Sequence, residues 1–297
     1  MSVIETIKLF YTHNHKKLMI IPLFLIIISF IVIGVNVSET DDILIKDISL
    51  KGGITATLLT DISIDENALE KALGGQLEEI NVRKLTEFGT NKQTGVLIET
   101  STQDEELLKS LITEYTTVQI DEENFSIELT GSSLGASFYK QMLKAMIFAF
   151  IFMSIVVFVT FRSIAPSIAV VVAAASDIII TVAVLDVFGM NVSAAGIAAL
   201  LMLIGYSIDT DILLTSRVLK KSEETTMLST FSSIKTGLTM SITSIIAVGF
   251  GALFSTAPAF KEIFTILTFG LIIDIVITYL MNAPFLLWYL ERKEKKT

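Results

Sequence analysis

Four carboxylates lie inside apolar stretches long enough to cross a bilayer: Asp177, Asp209, Asp211 and Asp274. An aspartate at the bilayer centre costs roughly 2.5 to 3.5 kcal/mol on insertion scales. A chain that keeps four of them, with Lys235 near the start of a further stretch, holds the residue types that bind and release protons or ions inside a membrane. Desolvation favours the neutral carboxyl and an approaching cation favours the charged one. An Asp–Lys pair whose separation changes can therefore couple an ion gradient to helix movement. The static alternative is a fixed pair, or neutral carboxyls hydrogen-bonded to Ser and Thr, that only holds helices together.

Helical spacing assigns each acid a face. Asp209 shares its face with Ala195, Ala198, Met202 and Gly205; small residues mark close helix contact in membranes, so Asp209 is expected to point inward. Asp211 lies about 200° away with Leu200, Ile204 and Ser207, and is expected to snorkel or to meet Arg217 or Lys221. Asp177 shares a face with Val170, Ala173, Ala174 and Thr181. Gly270, Asp274 and Thr278 follow one another at four-residue steps, extended by Asn282. Lys235 sits amid Ser232, Ser233, Thr236, Thr239, Ser241, Thr243 and Ser244, a hydroxyl density that suits a hydrated seam, and lies at a depth that permits an ion pair with Asp209.

The elements that must position these residues are membrane spans. The chain is 52% hydrophobic with a mean hydropathy of +0.69. Stretches of about 20 apolar residues place spans at 18–37, 141–161, 164–188, 192–215, 234–255 and 263–290, the last five forming a bundle over 138–290. The first has no small-residue cleavage site after it and reads as an uncleaved anchor. Pro166 suits the first turn of the third span, with Ser163 as its cap. Lysines and arginines at 8, 16, 17, 162, 217, 220, 221, 292, 293, 295 and 296 stand against Lys261 alone in the short loops of the other side. By the positive-inside rule, residues 1–17 and 291–297 are cytoplasmic and 38–137 lie outside.

Residues 38–137 hold 20 acidic and 7 basic side chains, a soluble acidic domain set into a mildly basic membrane body. Strands are expected at 43–50, 54–59, 78–85, 94–100, 117–120 and 125–130, with Lys51-Gly52-Gly53 as a hairpin. Helices are expected at 65–74 and 103–114. The fold class is thus an α-helical integral membrane bundle of six transmembrane helices with one extracytoplasmic α+β, ferredoxin-like domain carrying an extra hairpin strand. The domain has no histidine and no phosphate loop, so its carboxylates read as a solvated face. Cysteine is absent, which removes thiol chemistry. The acidic balance argues against a nucleic-acid partner. His13 and His15 are juxtamembrane, no nucleophile–base pair is visible, and neither an enzyme, a metal nor a cofactor is implied.

The run Gly205-Tyr206-Ser207-Ile208-Asp209-Thr210-Asp211 through Arg217 resembles the fourth-span signature of the SecF family, which pairs with SecD, assists the Sec translocon and is related to RND-type transporters. Phe161-Arg-Ser, Ser176-Asp177 through Thr181, and the run from Lys235 match in order. Gly131-Ser-Ser-Leu134-Gly135 is similar to the family's motif ahead of the second span. Asp209-Thr-Asp211 stands where bacterial members carry Asn-Asp, Lys235 where they carry arginine, Asp274 where many have a small residue, and Ser132 where they have proline. This is the look of an archaeal-type variant. The resemblance implies a cell-membrane subunit that, with SecD and the Sec channel, uses the ion gradient, proton or sodium, to assist an unfolded preprotein. The alternatives are a stand-alone RND-type exporter of lipid or small molecules and a non-transporting scaffold or sensor. Surrounding membrane lipids are the remaining contact expected.

Overall fold

The computed structural model describes residues 11–294 except 12, 78, 88–91, 117, 122 and 220–225, with backbone only for 226–229 and 294. Lys8, Lys220, Lys221, Lys295 and Lys296 therefore lie outside the described residues. Among the described residues, six helices are long and apolar enough to cross a membrane: His13–Thr40, Ser132–Phe161, Ile164–Val187, Ala194–Leu219, Thr230–Phe254 and Pro258–Lys293. In hydrocarbon only a helix satisfies its own backbone, which is why each apolar run takes this form.

The third span is the central one, buried on nearly every side from Val170 to Leu185. The first two present Phe24, Phe30, Phe148 and Phe152 outward. The bundle core is Val157, Val170, Ala174, Leu185, Ile197, Leu200, Leu203 and Ile266. Pro166 falls in the first turn of the third span and Ser163 stands at its N-cap, although the Ser163 side chain caps no amide. The sixth span starts at Pro258, five residues before the apolar count places it, because a proline at the first helical position costs no hydrogen bond. It widens into a π turn at Thr278–Asn282. The Tyr11 hydroxyl donates to the Tyr279 carbonyl there (2.7 Å), and Lys16 pairs with Glu291 (2.9 Å), so the N-terminal segment is fastened to the end of the last span.

The domain between the first two spans runs strand, helix, strand, strand, helix, strand: β1 Gly53–Leu59, helix Glu66–Leu73, β2 Ile80–Thr86, β3 Gln93–Thr100, helix Glu105–Thr116, β4 Phe125–Thr130. All neighbours in the sheet are antiparallel, in the order β2-β3-β1-β4. Its core joins Ile54, Leu58, Val82, Val96 and Ile98 to Leu69, Leu73, Leu108 and Ile112. Asp65 caps the first helix through the amides of Asn67 and Ala68.

Two expected strands are absent. Residues 43–50 hold a helical turn, Ile48–Lys51, and one isolated parallel bridge, Lys46 to Val192. The reason is tertiary: Leu44 and Leu50 are buried in the bundle core rather than in the sheet. Lys51-Gly52-Gly53 is accordingly no hairpin; Gly52 (φ 91°) ends the turn and Gly53 (φ 148°) swings the chain into β1. Residues 118–120 likewise form no strand. Asn124 reaches back to the Gln119 carbonyl (2.8 Å) and Asp121 accepts the amides of Glu123 and Asn124, so side chains hold this segment as a turn.

The motif ahead of the second span has a packing reason. A Cβ at Gly135 would stand 2.7 Å from the Leu50 carbonyl oxygen, and one at Gly52 would meet the Ser132 backbone. The chain leaving the domain therefore crosses the chain arriving at it, backbone against backbone. Leu134 is exposed and Gly131 borders open space.

Candidate intramembrane carboxylate site

Three of the four aspartates converge. Asp177 of the third span, Asp211 of the fourth and Asp274 of the sixth are each 0% exposed. Ser207 Oγ donates to Asp177 Oδ2 at 2.5 Å. Thr278 Oγ1 lies 3.0 Å from Asp211 Oδ1 and 3.2 Å from Asp274 Oδ1, and can donate to one at a time. Asn282 Nδ2 donates to Asp211 Oδ1 at 2.7 Å. The Asp177 and Asp274 carboxyls lie within hydrogen-bonding reach of each other, which two charged carboxylates cannot exploit without a proton between them.

Local sequence explains the convergence. Ser207 and Asp211 are one turn apart on the fourth span, as are Asp274 and Thr278 on the sixth. In a regular α-helix a stripe at four-residue steps drifts by about 40° per step. The π turn over Thr278–Asn282 slows that rotation and lets Asn282 stay on the same carboxylate as Thr278. The Tyr279 ring packs over Gly237 of the fifth span, where any side chain would collide with its hydroxyl.

Acceptors outnumber donors. Asp177 Oδ1, Asp211 Oδ2, Asp274 Oδ2 and Asn282 Oδ1 are buried and take no hydrogen bond from the described residues. No lysine or arginine pairs with any of the three acids among the described residues. Nor, among those residues, do three or more His, Asp or Glu have the arrangement of a metal site.

Two orientations from the sequence are reversed. Asp209 is exposed, on the face of Met202, Gly205 and Tyr206, and Asp211 is the buried acid with Leu200, Ile204 and Ser207. The two faces were correctly separated, but the small-residue cue chose the wrong one: Gly205 has open space beside it. Lys235 is exposed too and forms no ion pair with Asp209. Arg217 donates to Thr236 at 3.0 Å rather than meeting Asp211. Of the hydroxyls expected to wet a seam around Lys235, Thr236, Thr239 and Thr243 are turned to their own helix, donating to the carbonyls four residues back.

Three buried acids escaped the sequence reading: Asp47, Glu99 and Glu262. Glu262, near the start of the sixth span, accepts from the Ser193 amide (2.8 Å) and hydroxyl (2.7 Å), joining the sixth span to the loop between the third and fourth. Its signal was a glutamate one turn into an apolar helix whose start was placed too late.

Residues 110–292 match the family described as protein export membrane protein SecD/SecF, C-terminal. SecF of Pyrococcus furiosus is 36% identical over 293 residues, covering 98% of this chain and 97% of that protein. SecF of Methanocaldococcus jannaschii is 35% identical, over 95% of this chain and 99% of the relative. The crystal structure of SecDF, a translocon-associated membrane protein from Thermus thermophilus, superposes with a TM-score of 0.71 at 17% identity; it covers 94% of this chain, which spans 38% of that longer one. With matches over nearly its whole length, the chain belongs to the SecF family of protein-export membrane proteins.

Proposed function

We propose that this protein is an accessory subunit of Sec-dependent export which, with SecD, uses an ion gradient, the proton gradient first, to assist preproteins across the cell membrane. The observation that carries the reading is the carboxylate site: three buried acids from three spans, too few donors and no basic partner among the described residues. Burying charged carboxylates uncompensated costs many kcal/mol. A proton or a small cation must enter for the site to close, and its departure must open the contacts between the third, fourth and sixth spans. That exchange is the coupling step.

Asp209 and Lys235 belong to the same function by another route. Exposed polar groups on the fourth and fifth spans are costly against lipid, so SecD's helices cover them, with lipid against the first two spans. The domain, whose strand and helix order is that of a ferredoxin-like fold, lies outside with both termini inside, facing the preprotein and the SecD domain beside the Sec channel.

The test is export of a secreted reporter from proteoliposomes holding the Sec channel, SecD and this chain, with the gradient imposed or collapsed. Asp211→Asn and Asp274→Asn should each lower the gradient-dependent part of export at least tenfold and leave the gradient-independent part unchanged. Full gradient-dependent export by both variants sinks the coupling reading and leaves a scaffold.

A further inference from the structure

A second polar cluster lies where the domain meets the membrane bundle. Arg83 of β2 is 3.3 Å from Glu99 Oε2 on β3 and 3.8 Å from Asp47 Oδ1, on the segment that leads into the domain. Asn81 Nδ2 donates to the same Glu99 oxygen at 3.3 Å. Glu99 is 5% exposed and Asp47 4%. Glu262 of the sixth span, 9% exposed and held by Ser193, is close enough to act on Glu99 electrostatically. Three acids thus face one guanidinium. The surrounding lysines are engaged elsewhere: Lys46 with Asp42 (2.7 Å), Lys51 with Glu79 (2.9 Å) and Lys84 with Glu66 (3.8 Å).

The cluster sits on the seam through which the domain is held. Val192 donates to the Ile45 carbonyl (2.7 Å) and Asp47 donates to the Val192 carbonyl (3.0 Å), so the residue carrying the Asp47 carboxylate also carries one of two backbone bonds to the loop between the third and fourth spans. On the other side, Glu262 holds Ser193 of that loop. Movement at this seam is passed directly to the third, fourth and sixth spans.

We propose that this joint is a proton-operated latch: a proton on Glu99 keeps the sheet docked on the bundle, and its loss sets three carboxylates against Arg83 and releases the sheet. Arg83 can neutralise one carboxylate, and Glu262 draws on the same guanidinium besides the amide and hydroxyl of Ser193. Burial first, then the neighbouring Asp47, push the Glu99 carboxyl from its ordinary 4.5 up to about 7, against the pull of Arg83. The docked state therefore binds the proton more tightly than the released one. Its stabilisation is full below about pH 4.5 and is lost as pH rises through about 7. The device is independent of which ion the buried aspartates take.

Hydrogen exchange on the full chain in lipid nanodiscs reads the latch through the amides of Asp47 and Val192. Protection of both, corrected for the intrinsic pH dependence of exchange, should fall at least tenfold between pH 5 and pH 8. Glu99→Gln should keep both amides protected across that range. Asp47→Asn, which removes the nearest acid without touching Glu99, should move the transition to lower pH and stands in should the glutamine variant not fold. Equal protection at both pH values in the parent chain, or an unchanged midpoint in Asp47→Asn, overturns the proposal.

Discussion

Asn282 and Thr278 both reach the same oxygen of Asp211, but the two are not equivalent to remove. Thr278 also reaches Asp274, whereas the Asn282 amide donates to Asp211. Truncating Asn282 to Ala is expected to lower stability by about 1 to 3 kcal/mol, the usual cost of stranding a buried acceptor, read as a drop in the detergent unfolding temperature. Thr278→Val, which keeps the shape and removes the hydroxyl, should cost as much and also slow gradient-dependent export. At this scale the sequence placed Asp177 and the Asp274–Thr278–Asn282 stripe on usable faces, since their spacing is a property of the helix. It misjudged Asp209 and Asp211, because a small residue marks close approach without saying which chain approaches. Gly205 borders open space here, and a contact with another polypeptide leaves the same mark.

Helices were legible from length and apolarity, and so were the four strands of the sheet; the strands expected at 43–50 and 117–120 were not. The segment 43–50 alternates well enough for a strand, yet Leu44 and Leu50 are drawn to the bundle and leave only one bridge behind. The π turn was invisible, for no residue type demands it; it follows from the carboxylate that Thr278 and Asn282 share. The glycine pair ahead of the second span offers a matched test. Gly135→Val drives a side chain into the Leu50 carbonyl and should cost about 1 to 3 kcal/mol by overpacking. Gly131→Ala, at φ −66° with open space around it, should be near neutral. Thermal unfolding of the two variants side by side separates a packing role from a merely flexible one. Were both tolerated, the crossing of the two chain segments would not be tight.

As a whole, the molecule has two kinds of outer membrane face. One is apolar, formed by the first two spans. The other carries Met202, Tyr206, Asp209 and Lys235 on the fourth and fifth. If SecD covers the second face, a cysteine at Tyr206 should cross-link to it in membranes and one at Phe152 should not, as resolved by the size of the product. Cross-linking from Phe152 at equal yield would assign the wrong face. Composition had already divided the chain into an acidic domain and a basic membrane body. What composition could not reveal was the joint between them, because Asp47, Arg83, Glu99 and Glu262 are far apart in sequence and each reads alone as a solvated charge.

The crossing at Gly52 and Ser132 has a consequence for modularity. The two points at which the chain enters and leaves the domain coincide, so the domain is an insertion hung on one attachment rather than a length of chain stretched between two spans. Excising residues 53–130 and rejoining the ends through a few glycines should leave all six helices free to insert. The excised piece, which owns a complete core, should fold with its own cooperative transition. The same geometry makes this position a natural socket, where a domain of another size can be exchanged without altering the register of the helices beneath it.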